Sequence, residues 1–138
     1  MPVTCMKCRP EQFSAFFYFC GALSKGNTSE TFFRGQRAFH EIHDKNDMDD
    51  AARKDMSDAV GLAIQFMKSP SAKSIFLRQV ETFNTDAESK IVYKTFKKIM
   101  EGFEDTPVSE RLGLGYLLEP NGVLNIHFRP EGRGPVEV

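Results

Sequence analysis

Apolar residues recur along this chain first at three- and four-residue steps and then, past residue 107, at alternate positions, so the pattern predicts helices followed by strands. A first helix is expected from Pro10 to Ser24. Pro suits its first position, Glu11 its first turn, and Gly26 is placed to stop it. Phe13, Phe16, Phe17, Cys20 and Leu23 form a stripe that Tyr18 and Phe19 widen almost to the full circumference, which predicts a central helix rather than a superficial one.

Asn27 followed by Glu30 has the spacing of a capping box, so a second helix is expected from Thr28 to His43. Asn46 or Asp47 can cap a third, carried to Lys68 by Met48, Ala52, Met56, Ala59, Ala63, Phe66 and Met67. Ser69-Pro70 stops that helix and starts a fourth, which ends near Asn84 with Ala72, Ile75, Phe76, Val80 and Phe83 on its apolar face. Thr85 with Glu88 makes another capping box, and Ile91, Val92, Phe96, Ile99, Met100 and Phe103 carry a fifth helix.

Two short apolar runs flank Glu119-Pro120-Asn121-Gly122-Val123, the signature of a β-hairpin. A two-residue Asn121-Gly122 turn would pair Tyr116 with His127 and leave both faces mixed. A type I turn with Gly122 in the left-handed bulge position instead pairs Leu118 with Leu124, Tyr116 with Ile126 and Leu114 with Phe128. One face then becomes wholly apolar, so this register is expected. The fold class is therefore mainly α, an about five-helix bundle with a C-terminal β-hairpin. No repeat or linker divides it, so residues 1–138 read as a single helical domain with extended or mobile ends at 1–9 and 129–138.

Composition agrees with one packed core. Apolar residues are 41% and charged residues 27% of 138, the balance of an ordinary globular domain, and 13 Phe with no Trp make Phe the main source of core volume. Eighteen basic and 19 acidic residues lack the basic excess of a dedicated nucleic-acid binder. The balance is uneven along the chain: Glu41 to Asp58 holds seven acids against three bases, and Ser71 to Met100 six bases against three acids. Two such elements can pack together, pair between subunits or simply be solvated faces. The apolar run Phe16 to Leu23 is far short of the about 20 residues a membrane span needs, so no membrane role is expected. Three cysteines and no signal-peptide pattern point to a reducing, intracellular setting, cytoplasmic or nuclear.

Candidate chemistry is sparse. Cys5 and Cys8 have the spacing by which two thiolates reach one zinc, and His40 with His43, one turn apart, could complete a four-ligand site. Lys7 and Arg9 would lower the thiol pKa values. The plain alternatives are incidental thiols and surface histidines favoured by a helix C-terminus. Otherwise no cofactor is expected. Leu112-Gly-Leu-Gly115 lacks the third glycine and following helix of a nucleotide-binding turn, and no hydrolase, metalloprotease, phosphate-loop or calcium-loop motif is present. Lys90, Lys94, Lys97 and Lys98 form a ridge on the fifth helix that Lys73 and Arg78 can extend, with Tyr93 beside it to stack a base; a solvated helix face is the alternative.

Ala15 to Leu23 resembles the apolar core of the first homology region of Bcl-2 family proteins. The Asn-Trp-Gly-Arg that precedes it in that family is missing, and no functional residue is carried over. The leading expectation is a non-enzymatic protein–protein interaction module, binding a protein partner or itself as a homodimer. The alternatives are a helical RNA- or DNA-binding protein using the lysine ridge, an enzyme whose site one sequence does not reveal, drawing on His127, Tyr116 or Glu81, and a small-ligand carrier with a Phe-lined cavity.

Overall fold

A computed structural model describes residues 4–82, 86–106 and 112–130. Its elements run β1 Thr4–Cys8, α1 Pro10–Leu23, α2 Gly26–Lys45, α3 Asp50–Lys68, α4 Pro70–Glu81, α5 Ala87–Glu104, β2 Leu112–Leu118 and β3 Leu124–Pro130. The mainly helical reading holds, and its local causes are visible at the helix starts. Asp49 accepts a bond from the Ala52 amide at 2.8 Å to open α3, and Asp86 accepts one from Ser89 at 2.8 Å to open α5. Ser69 ends α3 and caps α4 through the Ala72 amide, with Pro70 in the first turn.

Several boundaries differ from expectation. Gly26, at φ 61°, begins α2 instead of only stopping α1, and Lys25 is its N-cap without a side-chain bond, so the Asn27–Glu30 box is not used. Asn46 takes the left-handed conformation at φ 58° and closes α2, its amide donating to the Ile42 carbonyl at 2.9 Å. The cap expected at Thr85, the face residue Phe83 and the tail 131–138 lie outside the described residues.

Phe rings build the core. Phe16 of α1 meets Phe17, Phe76, Phe96 and Phe103 with centroids 5.1–5.8 Å apart, which joins α1 to α4 and α5. Phe17 stacks on Phe39 of α2 at 4.9 Å, and Phe39 on Phe13 at 5.1 Å. α2 lies hard against α3 because Gly35 faces Ala59: a Cβ at Gly35 would collide with the Ala59 methyl, so the glycine sets the helix separation.

The hairpin adopts the bulged register. Leu118 pairs with Leu124, Tyr116 with Ile126 and Leu114 with Phe128. Gly122 has φ 85° and donates to the Glu119 carbonyl at 2.9 Å, as the turn requires. Thr4–Cys8, within the segment expected as an extended or mobile end, is extended but not idle. It pairs antiparallel with β3, placing Met6 opposite Ile126, so the hairpin belongs to a three-stranded sheet ordered β1-β3-β2. Met6, Cys8, Leu124 and Ile126 are buried beneath it, Met6 against Gly102 of α5, while Arg53 of α3 lies 5.0 Å over the Tyr116 ring. The other face is less polar in setting than its residues suggest. Asn125, in the central strand, is also buried, and its Oδ1 has no hydrogen-bond partner. No helix among the described residues is long and apolar enough to cross a membrane.

Candidate functional site

The donors considered for zinc lie on two elements, Cys5 and Cys8 on β1 and His40 and His43 on α2. Cys8 is a free, buried thiol on the core side of β1, and burial pushes its pKa up while the nearby Lys98 offsets part of that rise. At Cys8 the lowering expected from Lys7 and Arg9 is overturned, because desolvation outweighs neighbouring charge once the sulfur faces the core. A protonated thiol is a poor metal ligand. Cys5 sits opposite His127 in the β1–β3 register, its side chain outside the described set.

His40 and His43 are exposed on α2 and already engaged with carboxylates. His40 Nε2 lies 3.5 Å from Asp44; His43 lies 3.1 Å from Asp44 and 3.8 Å from Glu11 of α1. No group of three or more His, Cys, Asp or Glu side chains among the described residues is arranged to hold a metal ion. Cys20, the third cysteine, is wholly buried in α1, and burial pushes its pKa well up.

The lysine ridge is partly assembled. Lys90, Lys94, Lys97 and Lys98 are all exposed on α5, with Ile91 among them at 64% exposure. Lys73 does not extend it freely: its ammonium is 2.8 Å from Glu104, an ion pair tying α4 to α5. Arg78 lies in an open hollow along α4 with Lys73, Ser74 and Glu81. Tyr93 is half-buried against the core and its hydroxyl donates to Glu81 at 3.3 Å, so its ring is held inward and not offered to a base. Glu81 is thus already engaged, and His127 faces Gly115 as the register requires.

A different surface emerges on α1. Its inner side is fully buried at Phe13, Phe16, Phe17 and Cys20, but the outer side is not covered. Ala15, Tyr18 and Ala22 are exposed, Tyr18 at 56%, and Phe19 is half-buried. These positions fall at three- and four-residue steps and share one face. Tyr18 packs 5.7 Å from Phe33 of α2 on one flank. On the other, Phe19 contacts Phe76 and Phe96 and lines a hollow with Val80, Asp86, Glu88, Ser89 and Val92. α1 is central, as expected, and touches all four other helices, but α2 takes one side and α4 with α5 the other, and an apolar strip between them reaches water.

That strip was hidden in the pattern itself. A helix apolar on all sides predicts burial on all sides, and only the packing shows which side is left open. Compared with protein-family models, curated proteins and solved structures, the chain matches none.

Proposed function

We propose that this chain is a non-enzymatic protein–protein interaction module whose contact surface is the outer face of α1, with Phe33 and Val92 at its margins. The observation that carries this reading is the apolar strip of Ala15, Tyr18 and Ala22, all exposed, with half-buried Phe19 beside them. Contiguous exposed apolar surface on a domain with a complete core of its own marks a binding site. Tyr is the residue type that most often anchors such contacts, having a large ring and a polar tip. The free, buried thiols Cys8 and Cys20 suit a reducing compartment, the cytoplasm or nucleus.

Partner capture by immobilised protein tests this. Tyr18→Arg should weaken capture at least about tenfold, the usual consequence of losing an interface anchor, whereas Lys94→Glu on the lysine ridge should leave it intact. Undiminished capture by Tyr18→Arg would end the reading.

A second reading keeps a specific observation in its favour: Lys90, Lys94, Lys97 and Lys98 project together from α5 into solvent. A helical RNA- or DNA-binding protein would use them against phosphates, and binding would weaken steeply with salt as counterions are released. Reversing Lys90, Lys94 and Lys98 to Glu should then abolish retention on single-stranded RNA or DNA. Wild-type protein that passes through such a column even at low ionic strength would leave the ridge a solvated face.

A further inference from the structure

We propose that the lysine face of α5 docks on an anionic lipid surface, with Lys90, Lys94, Lys97 and Lys98 toward the headgroups and Ile91 entering the boundary between headgroups and acyl chains. This face lies on a different helix from the α1 strip, and each acts without the other. Pairing sets its lysines apart. Lys7, Lys45, Lys54 and Lys73 each have a carboxylate at 2.8–3.9 Å. The four lysines of α5 are exposed and make no ion pair among the described residues.

Their spacing sharpens the contrast. Lys90, Lys94 and Lys98 follow one another at i,i+4 steps, about 6 Å apart along the axis, where like charges repel. Exposed Glu88 precedes them and exposed Glu101 follows them, so the acids of this helix stand toward its ends and the lysines between. A surface dense in anions relieves the repulsion that the chain's own described carboxylates leave in place.

The apolar part of the face separates lipid from nucleic acid. Ile91 is 64% exposed, more than any other large hydrophobic side chain among the described residues. It precedes Lys94 and Lys98 by three and seven residues, so the three share one side of the helix. Nucleic-acid phosphates satisfy the lysines but leave Ile91 in water, and Tyr93, the ring that would stack a base, is packed against the core with its hydroxyl on Glu81. A lipid surface takes both parts: anionic headgroups meet the ammonium groups, and the acyl boundary takes the aliphatic side chain. Long lysine stems let the charges stay at the headgroups while Ile91 goes deeper. A helix that lies in the surface need not be long or apolar enough to cross it.

Vesicle sedimentation tests this. The full chain should pellet with phosphatidylcholine vesicles containing about one-third phosphatidylserine and stay in solution with phosphatidylcholine alone, and added salt should release it. Lys94→Gln should weaken binding about fivefold, the share of one cation at such a surface. Ile91→Asn should weaken it about tenfold, whereas Ile75→Asn, at 49% exposure on α4, should leave it unchanged. All three positions are exposed, so circular dichroism should match the wild type in each variant. Equal binding to both vesicle types, or binding to neither, would overturn the proposal, as would full binding by Ile91→Asn. Retention on single-stranded DNA without vesicle binding would also overturn it and give the ridge to nucleic acid.

Discussion

Phe16→Ala is expected to lower unfolding free energy by about 3–5 kcal/mol. The ring is fully buried and meets Phe76, Phe96 and Phe103, which come from the two helices that α1 must hold. Its removal takes away the transferred apolar area and leaves a void that rigid neighbouring rings cannot collapse to fill. Against a total stability of roughly 5–15 kcal/mol, that is a large share. Tyr18→Ala, two residues along the same helix but exposed, should cost less than about 1 kcal/mol. Urea unfolding of both variants measures the difference directly. Equal losses would mean that α1 is covered on its outer side as well, and the candidate contact surface would disappear with that finding.

Ile126→Ala should cost about 2–5 kcal/mol, because this residue lies on the buried face of the central strand, where it holds the sheet on the helices. Leu117→Ala is the control. Leu117 belongs to the neighbouring strand and is 57% exposed on the opposite face, so its loss should fall within about half a kcal/mol of wild type. The contrast depends on register, since a shift of one residue would exchange the two faces. Comparable losses at both positions would show that something packs on the outer face of the sheet too.

The hairpin register was legible because local rules settle it. Gly122 supplies the positive φ, and only the bulged turn gathers Leu118, Leu124, Tyr116 and Ile126 on one face. The five helices were legible for the same reason, their periodicity and the Ser69 cap being features of neighbouring residues, although α5 opens on Asp86 and not on the Thr85–Glu88 box. β1 was not. Thr-Cys-Met-Lys-Cys shows no clear alternation, and the strand that fixes it is at the far end of the chain, so its pairing is a tertiary fact.

The same distinction separates the candidate surfaces. Lys90, Lys94, Lys97 and Lys98 could be placed on one ridge from their spacing alone, but the capture of Lys73 by Glu104 depends on how α4 meets α5. The thiol of Cys8 turned out buried for a like reason: neighbouring Lys7 and Arg9 are visible in sequence, the core beneath β1 is not. The α1 strip is the sharpest case. Its residues stand in plain order in the sequence, yet their meaning changes once α2, α4 and α5 are seen to leave Ala15, Tyr18 and Ala22 uncovered.

Hydroxyl-radical footprinting tests the central claim most directly, because each candidate surface carries its own exposed reporter. Tyr18 marks α1 at 56% exposure and Ile91 marks the lysine ridge at 64%. In the assembled state, whether self-paired or bound to another protein, oxidation of Tyr18 should fall several-fold relative to dilute free protein while Ile91 stays unchanged. Protection of Ile91 with Tyr18 still fully reactive would contradict the account and make α5 the working surface.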